Sequence, residues 1–177
     1  MIPILTRSTV KATMELSEKA LHYYNQYLAS LPPGTPRHAR VESWYFCDSE
    51  PCAQELGDLV QRGIKTATAS LLWIYEAEGE PLPEVGGISV ITDWHGEPMC
   101  IIETTRVYIL PFDQVDPEQA YEEGEGDRSL EYWREVHWRF FGREAQRIGR
   151  EPTADMSVIC ERFRLLYGGL ENNELAG

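Results

Sequence analysis

Apolar residues recur at helical spacing over 13–31, where Leu16, Ala20, Leu21, Tyr24 and Leu28 fall near a 3.6-residue period. This predicts an amphipathic helix, ended by Pro32-Pro33-Gly34-Thr35-Pro36. Residues 40–47, Arg-Val-Glu-Ser-Trp-Tyr-Phe-Cys, are rich in strand formers. Ser49-Glu50-Pro51 reads as a helix start. The helix over 50–62 turns Leu56, Leu59 and Val60 inward, and Gly63 stops it. An extended piece, 64–68, runs into a helix of about 69–77, and 79–87 is a Pro/Gly-rich loop.

The clearest hairpin pairs 88–93 with 98–109 around a His95-Gly96 turn. A short helix is expected over 117–122, followed by an acidic, Gly-containing loop over 122–127. Ser129 then caps a long helix over 129–148, with Leu130, Trp133, His137 and Phe141 on one face. Residues 156–167 return as a strand, and 168–177 form an acidic tail. Strands separated by helices, with no regular βαβ repeat, predict an α+β fold: a mixed, curled sheet or small barrel with helices outside.

With 177 residues the chain holds one or two domains and a sizeable core. The expected division is an N-terminal tail and helix over 1–36, the main domain over 37–168, and a C-terminal tail over 169–177. The net charge of -13 argues against holding long nucleic acid by phosphate contacts alone. It leaves room for a small uncharged ligand or a local basic groove. No secretion signal and no membrane span are expected, so the expected location is cytoplasmic. Cys47, Cys52, Cys100 and Cys160 show no pairing pattern and are expected as reduced thiols. Histidine and cysteine spacing indicates no metal site, and no cofactor is expected.

Lysine is scarce: of 16 basic residues only Lys11, Lys19 and Lys65 are lysines. An arginine serves equally well as a surface cation, whereas a lysine is the cation whose pKa shifts on burial. Lys65 and Thr68 stand three apart. If a helix begins near Thr66, both face one cavity, and an amine beside a hydroxyl is a nucleophile-activating arrangement. Thr68 alone reads equally as a helix cap. Glu103 lies in an apolar strand. It is either a buried carboxylate in need of a cation, with Lys65 available, or a residue on the wet face of an edge strand. Trp44, Tyr45, Phe46, Trp73, Trp133 and Trp138 offer flat surfaces for a base, or simply fill the core. The arginines between 128 and 164 alternate with glutamates, as on a salt-bridged helix surface.

The stretch Arg62-Gly63-Ile64-Lys65-Thr66-Ala67-Thr68 resembles the G-x-K-x-x-T signature of the ASCH superfamily. The resemblance runs from about Val41 to Tyr167. It takes in the Ile-Glu-Thr strand and Gly-Asp-Arg-Ser-Leu-Glu-Tyr-Trp at 126–133. It implies a PUA-like fold and an association with RNA. Some small relatives are amidohydrolases that remove the acyl group of acetylcytidine, and their catalytic Lys, Thr and Glu fall on Lys65, Thr68 and Glu103. Trp44, Tyr45, Phe46, Ser129 and Trp133 are then the expected substrate-binding residues, and a modified nucleoside is the expected partner. Longer relatives cleave single-stranded RNA, which implicates Lys65, Tyr45 and Ser129 instead. A non-enzymatic reader of a modified base or RNA end is the third reading. Where many relatives carry an Arg five residues after the Lys, this chain has Ser70. The acyl group accepted, the mechanism and the oligomeric state stay open at this stage.

Overall fold

A computed structural model describes residues 16–35 and 40–169. The helices are α1 (Glu18–Ser30), α2 (Glu50–Gln61), α3 (Leu72–Glu78), α4 (Pro117–Glu123) and α5 (Leu130–Arg147). The strands are β1 (Val41–Trp44), β2 (Ala67–Leu71), β3 (Ile88–Thr92), β4 (Pro98–Pro111) and β5 (Ser157–Tyr167). The strands form one sheet in the order β1-β3-β4-β5-β2, in which only β1 and β3 run parallel.

The sheet curls without closing, so the α+β expectation holds and the barrel alternative does not. Two register shifts in the β4–β5 pairing, at Ile101/Ile102 and between Thr104 and Arg106, bend the long strands. Irregularities of this kind increase local twist. β3 is buried along its whole length because it is covered on both faces. Alternation sends Ile88, Val90 and Ile101 toward Ala20, Tyr24 and Tyr27 of α1. Ile91, Cys100 and Ile102 go the other way, toward Leu56 and Val60 of α2. The helix expected as an appendage therefore shares the core of the sheet. A third cluster joins Trp133, Phe141 and Ala145 of α5 to Ile74, Met156 and Val158.

Two boundaries differ from expectation. The strand over 40–47 stops at Trp44, where its pairing with β3 ends, and Cys47 three residues on adopts a left-handed backbone (φ 68°). Thr68 lies in a strand and neither caps nor enters a helix: β2 runs through Leu71, and α3 starts at Leu72. Pairing with β5 across Ala67–Leu71 overrides the helical pattern there. The leading and trailing segments, 1–15 and 170–177, lie outside the described residues, as do residues 36–39.

Cys47 and Cys52 form a disulfide, correcting the expectation of four reduced thiols, while Cys100 and Cys160 are free and buried. The bridge ties the loop after β1 to the first turn of α2. Cys52→Ser is expected to lower unfolding stability by about 2 kcal/mol through the entropy of this short loop. A urea midpoint unchanged from that of the oxidised parent would contradict this.

Candidate functional site

The open edges of the curled sheet meet at a cavity. Trp44 at the end of β1 and Thr68–Leu71 of β2 line a small recess of about 70 Å³. It adjoins a larger one of about 220 Å³. Phe46, Cys47, Thr68, Ala69 and Phe140 line both.

Lys65 stands at the inner end of the larger recess, with a side chain only 1% exposed. Its ammonium donates to Glu125 Oε1 at 2.7 Å, Glu123 Oε2 at 3.3 Å and the Glu123 carbonyl at 3.4 Å. The Phe46 ring centre lies 5.3 Å away. Burial alone lowers a lysine pKa, but the carboxylates of Glu125 and Glu123 outweigh it, and the pKa of Lys65 lies above its ordinary value. Lys65 is therefore a cation and a donor, not a base.

Local sequence explains the placement. α4 begins with an Asp116 cap and a Pro at its first turn, and it ends at Gly124 in a left-handed conformation (φ 75°). A Cβ at Gly124 would stand 2.9 Å from the Ile64 carbonyl oxygen, so only glycine allows this approach. The end of α4 is thereby pressed onto the 64–66 segment, where Thr66 N–H donates to the Glu122 carbonyl at 2.8 Å. Glu123 and Glu125 arrive on either side of the glycine.

Glu123 is buried and fully engaged. Oε1 accepts from Trp133 Nε1 at 2.6 Å and Gln119 Nε2 at 3.1 Å. Oε2 faces Lys65 and, at 3.4 Å, His137 Nε2. Burial raises its pKa, but the charges of His137 and Lys65, with the hydrogen bonds, pull it far below the usual carboxylate range. His137 stacks on the Trp133 ring, with centroids 4.1 Å apart. Its Nδ1 lies 2.9 Å from the Trp133 carbonyl. A carbonyl only accepts, so Nδ1 carries a hydrogen, and Nε2 can donate to Glu123 only as an imidazolium. Burial lowers the His137 pKa, and the adjacent Glu123 carboxylate more than reverses that.

These shifts fix a pH dependence. Glu123, depressed in the fold, contributes stability above about pH 4.5, lost as pH falls through its native value. His137, raised in the fold, contributes fully below about pH 6.5, and that contribution is lost as pH rises through its native value. The urea midpoint should therefore decline on the alkaline side of about pH 6.5, and this limb should vanish in His137→Gln. Parallel profiles for parent and variant would contradict a charged His137.

Thr68 joins Lys65 on the wall of the larger recess, so this expected pair is brought together. It gets there on a strand rather than on a shared helical face. Glu103 is not part of the group. Its carboxylate accepts from Arg164 at 2.6 Å, and it lines neither recess. The expected Lys65–Glu103 pair does not form; Lys65 is already satisfied by Glu123 and Glu125.

Among the expected binding residues, Phe46 lines both recesses, while Trp44 and Tyr45 line only the small one. Trp44 packs edge-on against Phe46, and Tyr45 against Trp94. Ser129 lines neither recess; its Oγ accepts from Tyr132 N–H at 3.1 Å as the cap of α5. Trp133 is a buried support behind Glu123. Lys65, Tyr45 and Ser129, the combination an RNA-cleaving site would use, thus do not share one recess. Ser70 Oγ is buried at the small recess without a hydrogen-bond partner among the described residues.

Glu123, Glu125 and His137 were missed as site residues. The first two fall in a stretch that reads as a wet acidic loop, and His137 reads as one member of an apolar stripe. A usable signal was present: glycines alternating with carboxylates directly before a helix cap. Among the described residues no cluster of His, Cys, Asp or Glu suits a metal ion, and no helix is long and apolar enough to cross a membrane.

Comparison with known proteins agrees with this architecture. The ASCH domain family model matches residues 42–167. A crystal structure of an ASCH domain from Lactobacillus crispatus JV V101 is 38% identical, with 86% of this chain and 96% of that one covered, at a TM-score of 0.83. The crystal structure of protein EF3133 from Enterococcus faecalis V583 is 34% identical over 85% of this chain and 89% of that one, at a TM-score of 0.72. No curated protein matches the chain. Both solved structures share the fold seen here, and the chain belongs to the ASCH domain family.

Proposed function

We propose that this protein hydrolyses the exocyclic amide of an N-acylated cytidine or a related nucleoside. The observation that carries this reading is a buried, charged lysine, paired with a carboxylate and set beside a threonine at the inner end of a small-molecule cavity. Phe46 and Phe140, which line both recesses, give a flat apolar wall for a pyrimidine. The unpaired Ser70 hydroxyl gives the small recess a polar contact for the ligand's edge.

The charge state of Lys65 selects between mechanisms. A lysine held as ammonium does not take a proton from Thr68, so an acyl-enzyme on Thr68 is disfavoured. Glu123 is locked by four donors and serves as the counter-ion that keeps the group in place. Both carboxylates line the larger recess, and Glu125, with a side chain 16% exposed against 1% for Glu123, is the more open of the two. Glu125 takes a proton from water as its oxygen attacks the amide carbonyl carbon. The Lys65 ammonium and the Thr68 hydroxyl donate to the oxyanion that forms. The tetrahedral species then collapses: the C–N bond breaks, and the proton held by Glu125 passes to the leaving exocyclic nitrogen. The products are cytidine and a carboxylic acid.

Chromatography of N-acetylcytidine mixed with the purified protein tests the reaction. Conversion to cytidine is expected. No product above a buffer control, from a folded protein, would overturn the reading in favour of a pocket that binds without turnover.

A further inference from the structure

The mouth of the larger recess carries two arginines that the proposed reaction does not use. Arg139 and Arg143 are four residues apart on α5, hence on one face of it, and both line the recess. Their side chains are 64% and 57% exposed. Each is paired at the surface with one carboxylate: Arg139 with Glu135 on the same helix, and Arg143 with Asp48 at 2.6 Å. Arg147 and Arg162, by contrast, each grip two carboxylates. Exposed single pairs hold weakly, and a phosphate competes well for a guanidinium because it offers several charged acceptors to a planar fork. In a chain of net charge -13, two adjacent arginines at a cavity mouth, each held by a single exposed pair, are cations that an incoming anion can recruit.

We propose that Arg139 and Arg143 form a phosphate site at the cavity mouth, so that the ligand is a phosphorylated nucleoside, a cytidine-type mononucleotide. The identity of the base rests on the function proposed above; the phosphate site rests on the arginines. The arrangement also sets the ligand's direction. At the inner end the Lys65 and His137 cations are already matched by Glu123 and Glu125, so no free cation draws a phosphate inward; the phosphate stays at the mouth and the base points toward Lys65. The overall acidity of the chain disfavours a long polyphosphate strand and favours a single phosphate.

Calorimetric titration of the full chain with cytidine and with cytidine 5′-monophosphate tests this. The monophosphate should bind about tenfold more tightly at low salt. The difference should shrink as salt is raised, and it should close in Arg139→Gln/Arg143→Gln. Arg139→Lys/Arg143→Lys, which keeps the charges, should retain a preference. Both residues are mostly exposed, so an unchanged melting temperature is expected for these variants. Equal affinities, a preference that survives the glutamine variant, or no binding of either compound would overturn the site. So would tighter binding of a short single-stranded RNA than of the monophosphate. A preserved preference without amide hydrolysis removes the reaction and keeps the site; hydrolysis without a preference removes only the site.

Discussion

Lys65→Met should lower the rate of N-acetylcytidine hydrolysis by about 10²–10³-fold, the usual cost of removing one donor aimed at a developing oxyanion. The loss should fall on kcat, because the ammonium acts on charge that appears only in the transition state. The fold should survive, since Glu123 keeps Trp133, Gln119 and His137 as donors after Lys65 is gone. Steady-state kinetics beside a melting curve measures both. A variant that melts like the parent and turns over within a few-fold of it would remove Lys65 from the chemistry.

Glu123→Gln should give the largest loss of stability, about 3–5 kcal/mol by urea denaturation, the range seen when one partner of a buried charge group is removed. Four donors converge on this carboxylate. A glutamine offers one oxygen and two N–H groups in its place. Whichever way the amide is turned, two of those donors meet a donor, and either the Lys65 and His137 cations or Trp133 and Gln119 lose their acceptor. His137 can relieve part of the cost by shedding its proton, so the alkaline limb of the stability profile should vanish in this variant too. A loss below about 1 kcal/mol would mean that the carboxylate is not the centre of the network.

Much of the scaffold was legible because it rests on local rules. The His95-Gly96 turn appears with Gly96 at φ 82° and the Asp93 carboxylate accepting from the N–H groups of His95 and Glu97. Ser129 caps α5 as its position suggested, and the Trp133, His137 and Phe141 stripe is buried. The salt-bridged helix surface is there as well, with Arg139 on Glu135 and Arg147 on Glu144.

What failed depended on contacts distant in sequence. β2 is a strand because β5 pairs with it, although its five residues, Ala-Thr-Ala-Ser-Leu, suit a helix as well. Lys65 was found because it is the one lysine among arginines in the body of the chain, and Thr68 because it stands close by. The carboxylate expected beside Lys65 is paired elsewhere, with Arg164. An apolar strand left Glu103 open between a buried and a wet position, while glycines and acids made Glu123 and Glu125 look wet. The deciding contact is Gly124 against the Ile64 carbonyl, across 60 residues, and no periodicity reports it. The Cys47–Cys52 bridge is local, and it was hidden for a different reason: its spacing is that of no common paired motif.

The central claim is that the working carboxylate of the site comes from the turn after α4 and not from β4. Turnover of N-acetylcytidine by Glu125→Gln and Glu103→Gln, measured side by side with the parent, tests it most directly. Glu125 touches Lys65 at 2.7 Å and borders the cavity, whereas Glu103 is tied to Arg164 outside it. Glu125→Gln should lose about 10²–10⁴-fold in rate, as for the loss of a general base, and Glu103→Gln should stay within a few-fold of the parent. An inactive Glu103→Gln beside an active Glu125→Gln would contradict the account.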